Sequence, residues 1–226
     1  QQQLKDFPAA TLHETIANFH NTPDRYRIFH EVLAADVMGR AAEVRDEIAF
    51  VLAREEEAGT LVAMQKAGQL PLRVTHNDTK LNNVMLDAAE RTPLCVIDLD
   101  TVMPGLSGYD FGDSIRFGAA TAAEDEKDLS KVTMSLELFR TFTRGFLKAC
   151  PGLTEQEKKM LPMGAKTMTL ECGLRFLTDY LDGDHYFAVH REGHNLDRCR
   201  TQFKLVADME SKWEEMARIV EEEQAN

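Results

Sequence analysis

Apolar residues return every third or fourth position over most of this chain, and the exceptions cluster in its middle third. Behind Thr22-Pro23-Asp24, a typical helix start, Ile28, Val32 and Leu33 keep helical spacing. Residues 40–67 set Val44, Ile48, Val51 and Leu52 among Glu and Arg, which predicts one helix ended by Gly68. The pattern then shortens. Leu72-Arg73-Val74 predicts a strand, and Asn83 to Leu86 and Leu94 to Ile97 predict a hairpin about the polar turn at 87–93.

From Asp110 the helical period resumes. Thr154-x-x-Glu157 is a capping box, and Pro162 suits the first turn of the helix that follows. That helix carries Leu170, Leu174, Leu177 and Leu181 on one side, and Glu171, Arg175 and Asp179 four apart along another. The polar line reads either as a surface salt-bridge ladder or as a row that binds hydroxyl groups. The last helix is expected to begin at Asn195 as N-cap, with Leu196, Cys199, Phe203, Val206, Trp213 and Val220 as a core stripe. Met160, Met163 and Met168 read as fillers of gaps in the core. The fold class that results is α+β, predominantly helical, with a small β hairpin and neither internal repeat nor low-complexity segment.

The few non-helical residues hold the chemistry. Between His76 and Asp113 the chain reads His76-Asn77-Asp78-Thr79-Lys80-Leu81-Asn82-Asn83, then Val96-Ile97-Asp98-Leu99-Asp100, then Tyr109-Asp110-Phe111-Gly112-Asp113. H-x-D followed by four residues and an Asn is the spacing of a phosphoryl-transfer catalytic loop. Asp78 suits a base that accepts the proton of an attacking hydroxyl. Asn83 and Asp98, fifteen residues later at a strand end, suit hard oxygen ligands of Mg2+, and Asp100 is a further candidate. Lys80 either neutralises a phosphate oxygen or is a solvated loop lysine. His76 is expected to brace the loop by hydrogen bonds. Asp110 and Asp113 either take part in the chemistry or orient the loop.

These motifs resemble the aminoglycoside phosphotransferase and choline kinase superfamily, which is protein-kinase-like. The fuller runs THNDTKLNNVMLD, CVIDLDTVMPG and YDFGDSIRF are similar to those of the N-acetylhexosamine 1-kinases, as are NFHNT near residue 20, LRFLTDYL at 174–181 and HNLDR at 194–198. The resemblance implies ATP as co-substrate, Mg2+, and a small sugar acceptor phosphorylated at its anomeric hydroxyl. It implies a supporting role for Asp110, and an acceptor site that takes Asp78, Arg175, Asp179, Tyr186 and Phe117. Related enzymes act on aminoglycosides, choline or other small alcohols, and a sugar-binding lobe without catalysis is a further class. Intact Asp78, Asn83 and Asp98 argue against the last. A metal hydrolase would want a second set of His or Asp ligands, and His185, His190 and His194 lack ligand spacing.

Composition narrows the setting. The chain has 226 residues, 43% hydrophobic and 28% charged, enough for one sizeable core. A net charge of −12 argues against a nucleic-acid partner, which demands a basic face. No apolar run approaches the roughly 18 residues that span a bilayer, so no membrane partner is expected. Cys95, Cys150, Cys172 and Cys199 form no C-x-x-C pair, and with no signal-peptide pattern a reduced, cytoplasmic setting is expected. A Gly-rich G-x-G-x-x-G loop and a strand lysine for the nucleotide are absent before His76, where residues read as helices. The chain is therefore expected to be the C-terminal, catalytic and acceptor-binding lobe (1–226) of a kinase whose N-terminal nucleotide lobe lies elsewhere in the same polypeptide.

Overall fold

A computed structural model of the chain describes residues 2–90 and 92–225; Arg91, in the expected turn at 87–93, lies outside the described residues. The predominantly helical α+β arrangement expected from the sequence is what forms. Helix α1 (Thr22–Ala35) has Pro23 in its first turn, and the Asn21 side chain accepts the Asp24 N–H. The stretch expected as one helix is instead broken into a 3-10 turn at Ala41–Glu43, α2 (Arg45–Leu52), α3 (Glu55–Ala58) and α4 (Thr60–Lys66). The break has a tertiary cause. Arg54 leaves helical geometry (φ −115°, ψ 2°) and binds Glu210 with Nε at 2.9 Å and Nη2 at 2.7 Å. The bends let Val51, Ala58 and Leu61 all reach the interior.

Helix α5 (Ser107–Gly118) contains the Y-D-F-G-D run within its body. Helix α6 (Leu136–Ala149) packs Phe139 and Leu147 into the same core as Met216, Ile219 and Val220. Thr154 and Glu157 form the expected capping box at the start of α7 (Glu155–Lys159), and Pro162 opens the 22-residue helix α8 (Leu161–Asp182). Gly183, at φ +107°, ends α8 in the left-handed region. Leu170, Leu174, Leu177 and Leu181 of α8 are buried with Phe29 of α1.

The final stripe also packs inward, but over two helices. Helix α9 (His194–Ser211) begins one residue before the expected N-cap, after Gly193, and α10 (Trp213–Gln224) follows a bend at Lys212. Asn195 lies inside the helix and does not cap it: its Nδ2 donates to Asp179 (2.8 Å) and Asp184 (2.9 Å), and its Oδ1 accepts from Arg198 (3.4 Å). The bend is held by the Lys212 ammonium on the Met134 carbonyl at 2.8 Å and Asp208 at 2.7 Å. No helix of the described residues is long and apolar enough to cross a membrane.

The strands form two antiparallel pairs. β1 (Arg73–Thr75) pairs with β4 (Met103–Gly105), and β2 (Val84–Leu86) with β3 (Pro93–Val96), as the expected hairpin. Residues 76–83 run from the first pair to the second, and residues 97–102 return. Both motif-bearing loops are therefore anchored at each end by the same two ladders.

Helices α5 and α8 cross at backbone contact through Gly108, Gly112 and Gly164. A Cβ on Gly164 would lie 2.5 Å from the Gly108 carbonyl oxygen, and one on Gly112 would lie 2.6 Å from the Gly164 carbonyl carbon. Backbone cannot swing aside as a flexible side chain can, so Gly164→Ala is expected to force the helices apart. Overpacking of this kind costs about 1–3 kcal/mol. Thermal unfolding should show a lowered Tm, and an unchanged Tm would contradict so close a crossing.

Candidate active site

The loop at 76–83 is held from behind by one carboxylate. Asp110, in the first turn of α5, accepts the His76 N–H on Oδ2 at 3.1 Å and the Asn77 N–H on Oδ1 at 2.8 Å. The Thr79 hydroxyl donates to the Asp110 carbonyl at 2.6 Å, and the Ser114 hydroxyl, a turn later, donates to the Thr79 carbonyl at 3.2 Å. Asp110 therefore ties the start of α5 to the loop at 76–83. Asn77 sits in the left-handed region at φ +66°, which Asn tolerates better than most residues. Its side chain is buried, donating to the Thr101 carbonyl at 2.9 Å and accepting from the Thr75 hydroxyl at 2.8 Å. Gly105 makes room for this network: a Cβ there would lie 2.6 Å from Asn77 Oδ1 and collide with the Thr75 hydroxyl.

Asp78 projects from the strained turn into a ring of donors. Its Oδ2 accepts from Lys80 Nζ and from Asn83 Nδ2, both at 2.8 Å. Burial alone would push the Asp78 carboxyl up, but Lys80, Asn83 and the nearby Arg116 together hold it below the usual carboxylate range. It is thus held as an anion. Asn83 also donates from Nδ2 to the Asp78 carbonyl at 2.8 Å, while its Oδ1 has no hydrogen bond among the described residues. The amide is thereby oriented with its oxygen left over. His76 places Nε2 on the Ile97 carbonyl at 3.0 Å, and its Nδ1 accepts the Asp78 N–H at 3.3 Å. Both ring nitrogens are spent on main chain, so His76 ties the two loops together.

The return loop meets the catalytic loop directly, since Ile97 N–H donates to the Asn83 carbonyl at 2.9 Å. Asp98 follows at once, exposed and left-handed at φ +62°, its carboxylate without hydrogen bond or ion pair among the described residues. A non-Gly residue held there costs about 1–3 kcal/mol, which marks a place where geometry matters more than ease. Asp100 is also exposed; its carbonyl accepts from the Thr15 hydroxyl at 2.8 Å. Among the described residues no group of three or more His, Cys, Asp or Glu side chains is arranged to hold a metal ion. Two oxygens, Asn83 Oδ1 and the Asp98 carboxylate, nonetheless fit a hard cation that takes its other ligands from phosphate and water.

Beside Asp78 opens a cavity of about 430 Å³. Asp78, Lys80, Asp113, Arg116 and Glu124 line it, together with Arg175, Tyr186 and Phe187. Arg175 forms no ion pair among the described residues; it donates to the Tyr186 hydroxyl at 3.2 Å and lies 5.3 Å from the Phe187 ring centre. Tyr186 is 68% exposed and stands at the rim.

Two residues expected at the acceptor site do other work. Asp179 is 5% exposed, and its carboxylate accepts the N–H groups of His185 (2.9 Å), Tyr186 (2.8 Å) and Phe187 (3.0 Å) besides the Asn195 amide. It shapes the loop that presents Tyr186 and has no oxygen to spare for a ligand. Phe117 is half-buried on α5 and does not line the cavity. The polar line on α8 is therefore neither a surface ladder nor a continuous binding row. Glu171 is buried and accepts from the Thr22 hydroxyl at 2.6 Å and pairs with His20 at 2.8 Å.

Sequence reasoning gave no role to His20, Arg116 or Glu124. His20 carries the clamp onward, because its Nε2 donates to the Asn77 carbonyl at 2.8 Å. Its partners lie 57 and 151 residues away in sequence, so spacing held no signal beyond the NFHN run before α1.

With the geometry in view, comparison with known families adds a match: the phosphotransferase enzyme family (APH) matches residues 4–131, more than half of the chain. The matched span includes both loops and α5.

The Asp78 environment has a testable signature. Because its folded-state pKa is depressed, the stability it contributes is present above the unfolded value and lost as pH falls through the folded one. Carboxyl NMR should find Asp78 titrating below the usual range. Lys80→Met, which removes the main stabiliser of the anion, should move that titration upward. An Asp78 carboxyl that titrates identically in both proteins would show that Lys80 does not set its charge.

Proposed function

The chain belongs to the phosphotransferase enzyme family, and from that premise we propose that it is the catalytic and acceptor-binding lobe of an ATP- and Mg2+-dependent kinase. Its acceptor, on this reading, is the anomeric hydroxyl of an N-acetylhexosamine. The observation that carries the proposal is the shared use of Asn83: its amide nitrogen fixes Asp78, its amide oxygen has no hydrogen bond among the described residues, and its backbone carbonyl accepts the N–H of Ile97, the residue before Asp98. Base and metal ligands are thus set by one side chain.

Asp78 holds the acceptor hydroxyl and takes its proton as the bond to phosphorus forms. Lys80 stays beside it, balancing the base before transfer and phosphate oxygens during it. Asn83 and Asp98 hold Mg2+ through oxygen. The bound ion supplies fixed positive charge beside phosphate oxygens, where phosphoryl transfer needs it. Asp100 remains a further candidate ligand. The exposed Leu81, Met85, Val96 and Leu99 around the hairpin suit the apolar face of a purine. We assign the phosphate-gripping loop and nucleotide lysine to an N-terminal lobe outside these residues, and we place the enzyme in the cytoplasm.

Charge balance favours a neutral acceptor. The carboxylates Asp78, Asp113, Glu124 and Glu171 around the cavity face the cations Lys80, Arg116, Arg175 and Arg198. A polycationic aminoglycoside or a choline would want carboxylates in excess. Rings at the wall (Phe19, Phe187, Tyr186) and a guanidinium with several fixed donors suit a sugar with hydroxyl and acetamido oxygens.

In the enzyme that includes these residues, Asp78→Asn is expected to lower kcat by about 100- to 10,000-fold, the usual span for a general base. Asp98→Asn should instead raise the Mg2+ requirement, with partial rescue by added metal. Arg175→Ala should raise KM for N-acetylglucosamine and N-acetylgalactosamine while KM for ATP holds. These 226 residues alone should give negligible turnover with Mg-ATP. Efficient phosphorylation of kanamycin or choline that survives Arg175→Ala would overturn the sugar assignment and leave the kinase one standing.

A further inference from the structure

Within the cavity one side chain is built for a partner that the protein does not supply. Asp113 is 5% exposed, and its Oδ1 accepts from Arg116 through Nε at 3.0 Å and Nη2 at 2.9 Å. Arg116 in turn donates to Glu124 from Nη1 at 2.6 Å, so the guanidinium is fixed on both flanks. Asp113 Oδ2, by contrast, is buried and has no hydrogen bond among the described residues. A buried carboxylate oxygen is costly unless a donor meets it. The rest of the carboxylate is immobilised, so the free oxygen cannot turn elsewhere to find one.

Oδ2 is covered by its neighbours, so a donor reaches it from the cavity that Asp113 lines only as that wall shifts. Asp113 lies three residues along α5 from Asp110, which grips the catalytic loop, and one residue before Ser114, which bonds Thr79. Asp113, Arg116 and Glu124 line the same cavity as Asp78, and Arg116 is close enough to Asp78 to act on its charge. A carboxylate is acceptor-only, so it selects O–H or N–H and not an ether or carbonyl oxygen. Arg116 offsets its charge, which suits a neutral donor better than an ammonium.

Resting on the sugar-kinase reading, we propose that Asp113 is a specificity-determining residue: its Oδ2 accepts one hydrogen bond from the sugar, from a ring hydroxyl or the acetamido N–H other than the group phosphorylated. The site thereby takes acceptors with a second donor near the reacting hydroxyl and rejects simple alcohols. Asp113 has no part in proton transfer, which belongs to Asp78. Its contribution is to register the ring in the cavity so that one hydroxyl meets the base.

The test is calorimetry on the chain with N-acetylglucosamine and its 3-, 4- and 6-deoxy analogues and 2-deoxyglucose, each lacking one donor group. One analogue should bind about 10- to 100-fold more weakly, the range expected for a hydrogen bond to a charged group. Against Asp113→Asn, which keeps size and an oxygen for Arg116, that one penalty should largely vanish while the others persist. The analogue series on the native chain stands even if the variant folds poorly. Equal binding of all analogues, or a penalty pattern unchanged in Asp113→Asn, would overturn the assignment of Asp113 and leave the sugar reading intact. No measurable binding of any N-acetylhexosamine would overturn both.

Discussion

One carboxylate inside a helix governs the site. Asp110 gathers two consecutive backbone N–H groups, those of His76 and Asn77, at the point where β1 gives way to the loop at 76–83. Two N–H groups directed at a single carboxylate demand a sharp local turn, and the chain meets that demand with Asn77 in the left-handed region. Burying the Asn77 side chain then requires the neighbouring strand to be bare of Cβ, which Gly105 provides. Asp78 is the next residue, so its direction follows from the tether. Charge-assisted hydrogen bonds of this kind are stronger than neutral ones and suit a loop that must not drift.

The tether is only as rigid as α5, and α5 is fixed by α8. The glycine seam lets the two helices touch at backbone, where little relaxation is possible. Helix α8 then distributes its polar residues among different tasks along one line. Glu171 locks His20 and through it the Asn77 carbonyl, Arg175 faces the cavity, and Asp179 organises the loop that carries Tyr186. Burial of Glu171 and Asp179 is tolerable because each carboxylate is met by donors. Arg175 has no carboxylate ion pair among the described residues and lines the cavity.

Much of this could be read from the residues. The loop motifs, the hairpin, the capping box at Thr154, Pro162 and the leucine row of α8 rest on local rules, and each forms where those rules put it. The Y-D-F-G-D run singled out Asp110, and its carboxylate meets the loop amides. The failures share a cause, which is a partner distant in sequence. Periodicity could not foresee that Arg54 would break the helix over 40–67 to reach Glu210, nor that Lys212 would bend the last helix onto the Met134 carbonyl. Four-residue spacing put Asp179 beside Arg175 correctly, yet the loop amides at 185–187 claimed its oxygens. Phe117 shares a helix with Asp113 but not the cavity, and the Arg116–Glu124 pair had no motif to announce it.

The most direct test of this dependence is amide hydrogen exchange at His76 and Asn77. If the Asp110 carboxylate is what holds the loop, those two amides should be protected in the native protein. They should exchange far faster in Asp110→Ala, while the β1–β4 ladder and the body of α8 keep their protection. Unchanged exchange at His76 and Asn77 in that variant would mean that the loop is held by something else, and that the direction of Asp78 does not depend on α5.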